Sequence, residues 1–230
     1  MKIVICLHAA PPGGAPLTDY DLQALRLARG LGGGHEVVAL LAGTKEETAP
    51  LEAALAAGVD RAARVSGESF AAADFHTLGQ VLGSAASSLG ADLILAGARS
   101  DTEGLGALTA SVARHMSLPH LANIESLELL DQPPLALAVT VRGSGRKRRI
   151  GVRLPFVMSV AGAGRLAPSA SASASGKGPR TIETLAVFDP EVTVIRRRTE
   201  MLGSSAKAER DVQAVASAAD LVAALMARAR

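Results

Sequence analysis

The feature that most restricts what this chain can fold into is a rhythm: short apolar runs alternate with longer stretches of helical period, and most of those end at glycine. Ile3–Leu7 is a strand candidate, and Asp19–Leu31 follows with Leu22, Leu25 and Leu27 on a helical period. Gly32-Gly33-Gly34 ends that helix, because glycine tolerates the left-handed turn a helix end needs. Val37–Leu41 is the second strand, and Lys45–Ala57 is the second helix, closed by Gly58. Ala62–Val65 is a short third strand, and Phe75–Leu89 is a third helix, closed by Gly90. Leu93–Ala96 is the fourth strand, Gly97 opens the loop after it, and Gly104–Met116 is a fourth helix. Strands that alternate with helices predict a parallel sheet with helices on both faces.

After Pro119 the pattern changes. Leu135, Leu137, Val139 and Val141 alternate with other residues, Gly143-Ser144-Gly145 makes a turn, and Ile150, Val152 and Leu154 alternate again. That is an antiparallel hairpin. Phe156–Val160 then returns to the main sheet as an inner strand. Residues 167–178, reading APSASASASGKG, are small and polar and form a loop. Thr181–Arg198 reads as extended chain through Val192 and Val194. The last segment is an alanine-rich helix in which Ser217 and Asp220 have capping-box spacing. Its stripe of Leu221, Val222, Leu225 and Met226 packs either on a partner or on the chain's own domain. There is no internal repeat.

Composition excludes several classes. At 48% hydrophobic over 230 residues the chain is not a disordered protein. Aromatic residues make up 2%, with no Trp and only Tyr20 as tyrosine, so the stacking platforms of many nucleic-acid binders are missing. The net charge of +2 favours neither DNA nor a membrane surface, and the basic runs Arg146–Arg149 and Arg196–Arg198 read as solvated strand or arm ends more readily than as docking sites. The single cysteine, Cys6, forbids an intramolecular disulfide and fits a reducing cytoplasm. The apolar opening is shorter than a signal-peptide core of roughly 7–15 residues. No apolar stretch reaches the roughly 20 residues of a membrane span, so membrane insertion is not expected.

An open parallel sheet binds ligands beyond the carboxyl ends of its strands. The loops there are His8–Thr18, Ala42–Thr44, Ser66–Ala72 and Gly97–Gly106. The last leads into a helix: glycines let backbone amides approach a phosphate, the helix N-terminus favours an anion, and Arg99 adds a cation. Asp101 and Glu103 would repel a phosphate unless turned away. No catalytic set emerges. None of His8, His35, His76, His115 and His120 has metal-ligand spacing, and neither a nucleophile elbow nor a Walker lysine is present. His8 lies at the end of the first strand, where it either touches a ligand or is a satisfied loop histidine. Cys6 reads as a buried strand residue.

Several runs together resemble a known family. Asp92-Leu93-Ile94-Leu95-Ala96-Gly97, a polar loop, a helix and then Leu118-Pro119 are similar to the beta subunit of electron-transfer flavoproteins. There the stretch reads like D-L-V-I-L-G-K-Q-A-I-D-D-D-x-N-Q-T-G before a helix that ends in W-P. Leu51–Arg64, reading LEAALAAGVDRAAR, resembles L-R-x-A-L-A-M-G-A-D-R-A. Val139–Ser159, reading VTVRGSGRKRRIGVRLPFVMS, resembles V-T-R-E-x-D-G-G-x-E-x-V-x-x-x-L-P-A-V-V-T. Pro16 and Ala24-Leu25-Arg26-Leu27 match the family's N-P-F-D-E-x-A-x-E-E-A-L-R-L, with a register uncertain by one residue.

The resemblance implies an α/β, parallel-sheet, adenine-nucleotide-binding-like (Rossmann-like) domain over residues 1–166, with an antiparallel hairpin insertion at about 124–154. It implies a partner-recognition loop at 167–180 and a C-terminal helical arm, 181–230, packing on an alpha subunit. It implies an electron carrier and not an enzyme: FAD is held mainly by the alpha subunit, a flavin dehydrogenase donates and a quinone oxidoreductase accepts. AMP, or a second FAD in bifurcating members, occupies the beta-subunit site. By position, that site comprises Cys6, His8, Ala42, Gly43, Gly97, Arg99, Thr102, Glu103, Gly104, Leu105, Gly106, Ala107, Leu108 and Thr109. The sequence departs from the family there. The polar N-Q-T-G side chains are replaced, leaving backbone amides at Gly104–Leu108 as donors; a lysine is replaced by His8; and the first loop is short. Pro168–Gly178 also has no apolar anchor for a dehydrogenase. The competing expectation is a stand-alone ATP- or AMP-binding module of the universal-stress-protein type. It shares the fold but requires a G-x-x-G phosphate loop that this chain lacks.

Overall fold

A computed structural model of the chain describes residues 1–9, 13–32, 34–99, 106–132, 135–143, 146–161 and 181–186. All of these lie in the first of two compact units, residues 1–197. The described elements are β1 (Lys2–Cys6), α1 (Asp19–Gly30), β2 (Glu36–Gly43), α2 (Ala49–Ala56), β3 (Arg61–Ser66), α3 (Phe75–Ser88), β4 (Leu93–Gly97), α4 (Leu108–Met116), β5 (His120–Gln132), β6 (Leu135–Gly143), β7 (Arg146–Val152), β8 (Phe156–Val160) and β9 (Ile182–Leu185).

They build one nine-stranded sheet in the order β7-β6-β5-β8-β4-β1-β2-β3-β9. Every neighbouring pair from β5 to β9 is parallel. β6 and β7 extend the sheet with antiparallel pairings. Alternate side chains of a strand point to opposite faces, so each inner strand feeds two cores. Ile3, Ile5, Ala39, Leu41, Leu93 and Leu95 pack beneath Ala24, Leu25 and Ala28 of α1 and Leu51, Ala54 and Leu55 of α2. Val4, Cys6, Val38, Leu40, Ile94 and Ala96 pack beneath Val81, Leu82 and Ala85 of α3 and Val112 and Ala113 of α4. This is the two-faced α/β arrangement expected from the alternation.

Four elements differ from the sequence expectation. α2 begins at Ala49 and not near Lys45, with Pro50 in its first turn. Proline lacks an N–H and is accommodated where that N–H would have no partner in any case. α4 begins at Leu108, after Gly106 at φ 58°. The antiparallel part has three strands, because β5 runs for 13 residues beside both β6 and β8. β9, placed by the sequence in the arm, instead pairs with β3 at the sheet edge. The loop 167–180 and the helical arm beyond residue 186 lie outside the described residues.

Candidate functional site

The strand order fixes where a ligand can enter. From β1 the chain runs through β2 to β3 on one side, then crosses to β4 on the other. Loops leaving β1 and β4 therefore diverge, and the carboxyl ends of these two strands are where an open α/β sheet of this order takes a ligand. Cys6 ends β1 between Leu40 of β2 and Ala96 of β4. Gly97 ends β4 beside Val160 of β8, and the next residue's N–H donates to the Val160 carbonyl at 2.9 Å.

The β4 end is shaped by close packing. A Cβ on Gly97 would stand 2.6 Å from the Tyr20 Cβ, so glycine lets the start of α1 sit directly over the end of β4. A Cβ on Gly106 would collide with the Ala98 carbonyl oxygen, so the chain that leaves β4 at Ala98 returns to touch it at Gly106. Only glycine combines that approach with φ 58° at low strain. Ala107 caps α4 without a side-chain hydrogen bond. Ala107 thus gives the amides of the first turn of α4 no capping oxygen, and helix-start amides are the kind of donor an anion uses. Arg99 is exposed.

On the β1 side the structure supplies a network. His8 is 9% exposed, and its Nδ1 lies 2.9 Å from Oδ1 of Asp21 in the first turn of α1. Asp21 is fully buried. Its Oδ2 accepts from the Thr18 N–H at 3.1 Å and from the Thr18 hydroxyl at 2.8 Å, while its own N–H donates to Thr18 Oγ1 at 3.0 Å. Thr18 and Asp21 form a capping box that starts α1. Burial pushes the thiol of Cys6 up to about 12, with the charge of Asp21 acting in the same direction.

Of the residues expected from the sequence, Cys6 and Gly97 end β1 and β4, His8 and Arg99 follow those strands, and Gly106, Ala107, Leu108 and Thr109 lead into and begin α4. Besides His8, three of them have buried side chains, Leu108 among the core residues on the α3 and α4 side. Cys6 is buried within the core on the α3 and α4 side, and Thr109 is 1% exposed with its hydroxyl 3.2 Å from Nε2 of His120. Burial lowers the His120 pKa. Ala42 and Gly43 end the adjacent strand β2, but the space over Gly43 is taken by the Glu47 carboxylate, which accepts from the Thr44 N–H at 2.7 Å. Thr102, Glu103, Gly104 and Leu105 lie outside the described residues. Thr18 and Asp21 were not among the expected site residues, although the Thr-x-x-Asp spacing before an apolar period was a readable signal. Away from these strand ends, His115 lies 2.9 Å from the Ser84 hydroxyl, beside a groove of about 580 Å³ between the ends of α3 and α4. Among the described residues no group of three His, Cys, Asp or Glu side chains is placed to hold a metal ion, and no helix is long and apolar enough to cross a membrane.

The family described as the electron transfer flavoprotein domain matches residues 10–189, well over half of the chain. No curated protein matches it.

Proposed function

We propose that this chain, which belongs to the electron-transfer flavoprotein family, is the beta subunit of a heterodimeric carrier. Electrons would pass from a flavin dehydrogenase to a quinone oxidoreductase in the cytoplasm, with FAD held mainly by the alpha subunit. Members of this family are electron carriers and not enzymes. The beta assignment is supported by the run 51–64, by the stretch from Asp92 to Pro119 and by the hairpin sequence at 139–159.

The observation that carries the nucleotide part of the reading is the start of α4 at the topological switch point, with no side-chain cap hydrogen bond from Ala107. Backbone amides of Gly106–Thr109 fit a phosphate, and Arg99 fits as a charged neighbour. These are the residues that would hold AMP. The polar side chains that family members use there are replaced, so the backbone does the binding. The flavin, when bound, supplies the redox chemistry; the residues of this chain orient it, set its electrostatic surroundings and exclude water.

The test is to co-express this chain with its cognate alpha subunit, purify the complex and identify the nucleotides released on denaturation. FAD and AMP in equal amounts support the reading. Two FAD per complex would point to a bifurcating relative. FAD alone would leave the site a structural remnant. A chain that forms no complex and binds ATP by itself would replace the reading with the stand-alone ATP-binding module.

A further inference from the structure

Charge is unevenly spread along this chain. Between Asp131 and Glu183 there are nine basic residues and no acidic one, whereas residues 1–131 hold 15 acidic and 8 basic. Four of the nine, Arg146, Lys147, Arg148 and Arg149, stand exposed on β7, at one edge of the sheet. The strand divides them between two faces. On one face Lys147 pairs with Glu125 at 2.9 Å and Arg149 pairs with Glu128, both acids being on β5 and reached across β6. On the other face Arg146 and Arg148 have no carboxylate partner among the described residues. Arg148 stands opposite Val141, and Ile150 and Val152 continue its face along the strand. Leu137, Val139 and Val152 of that face are buried in the core. Leu127, Val141 and Ile150 are only half-buried, and Leu129 is 45% exposed. The face is thus an incompletely covered apolar strip with two unpaired guanidinium groups at one end. The family's run V-T-R-E-x-D-G-G-x-E has acidic residues at the places of Arg142 and Arg148, so this hairpin reverses the charge.

We propose that this face of the hairpin selects the alpha subunit by charge: Arg146 and Arg148 receive carboxylates from an acidic face of that subunit, beside the apolar strip. This rests on the heterodimer reading and adds which residues choose the partner. Half-buried aliphatic side chains edged by arginine have the make-up of a protein interface, apolar at its centre and polar at its rim. Opposite charges across such a contact set which partner is accepted, because like charges there are strongly unfavourable. The other occupants fit less well. A second copy of this chain would set arginine against arginine along β7, which is how edge strands avoid self-pairing. A lipid surface recruits through clusters of roughly four to eight free cations, and this face has two. A single-stranded nucleic acid needs stacking aromatics, and residues 120–155 contain none.

The experiment has two arms, both on the full chain with its cognate alpha subunit. In the first, a limiting amount of tagged alpha subunit is co-expressed with equal amounts of wild-type chain and the Arg146→Glu/Arg148→Glu variant, and the captured chains are counted by mass spectrometry. The wild type should be captured in about tenfold or greater excess. Lys147→Gln/Arg149→Gln, on the opposite face, should compete as well as the wild type. In the second arm, Arg146→Lys/Arg148→Lys keeps the charge and adds two amines. A zero-length cross-linker of amines to carboxylates should then join position 146 or 148 to an Asp or Glu of the alpha subunit, with the Lys147–Glu125 pair as the internal control. If the charge-reversed variant fails to fold, this second arm decides alone. Equal capture of the charge-reversed variant overturns the proposal, as does a complex in which Lys147 is cross-linked to Glu125 but neither 146 nor 148 is joined to the alpha subunit. Unchanged capture together with lost sedimentation on anionic phospholipid vesicles would assign the face to a lipid surface instead. A wild-type chain that captures no alpha subunit overturns both the heterodimer reading and this proposal, whereas equal capture overturns this proposal alone.

Discussion

Cys6 illustrates how far a single residue can be read. Its place in an apolar run marks it as a buried strand residue, and it is fully buried. Its pKa is raised from about 9 to about 12. A raised acid pKa means that the folded chain keeps a proton that the unfolded chain releases. Stability is therefore intact below about pH 9 and falls as pH rises from there towards 12. The slope is about 1.4 kcal/mol per pH unit at most. Cys6→Ala should remove that slope, as measured by urea unfolding at pH 8, 9, 10 and 11, beyond a constant small cavity cost. Gly97 was read as a loop opener, but its tighter constraint is the Tyr20 Cβ, 2.6 Å from where its own Cβ would be. Gly97→Ala should destabilise by about 1–3 kcal/mol, because backbone and not a flexible side-chain tip must yield; a denaturant midpoint unchanged from wild type would refute the close approach. Thr18 and Asp21 went unread as site residues, because their spacing announces a helix start and nothing in the sequence says that His8 will fold onto it.

At the scale of elements, α1 depends on its cap. Thr18→Ala removes the oxygen that accepts from Asp21 N–H and the hydroxyl that donates to the buried carboxylate. The expected cost is about 1–2 kcal/mol, visible in thermal unfolding followed by circular dichroism. Thr18→Ser keeps the oxygen and should recover most of it. The helices and inner strands were legible because each carries one uninterrupted period. β5 was not. Its pairing slips between Ile124 and Ser126 and again between Leu129 and Gln132, and Asn123 adopts a left-handed φ of 59°. Each irregularity resets which residues face inward, so buried Ile124 and half-buried Leu127 stand three residues apart and Leu129 is exposed. The start of α2 was misplaced for a different reason: Lys45-Glu46-Glu47 looks helical, but the Glu47 side chain turns back to the Thr44 N–H and keeps that segment a loop.

Across the whole molecule, the amino ends of the strands are tied by a charged row. Lys2 Nζ lies 3.3 Å from Glu36, Arg61 lies 2.8 Å from Glu36, and Arg61 also pairs with Glu183 on β9. These side chains are 28–48% exposed. A double-mutant cycle on Arg61 and Glu183 should give a coupling below about 1 kcal/mol that shrinks in 1 M salt. A coupling of several kcal/mol would mean that β9 is held by charge and not by its ladder with β3. The parallel sheet was legible as a class, since helices must carry the chain back between its strands. The order of the strands was legible only in part: Phe156–Val160 read as an inner strand, but nothing local says that its neighbours are β4 and β5. That order has a consequence for how the chain is made. β1 sits at the centre, and Lys2 donates its backbone N–H to Asp92 at 2.7 Å, across 90 residues of sequence. On a ribosome adding about 5–20 residues per second, the partner for that edge emerges about 5–20 s later. Until then the nascent sheet of β1, β2 and β3 carries an open apolar edge. Slowing translation between Ser66 and Leu93 should therefore prolong the interval in which a chaperone can hold the chain, with no change to the finished fold.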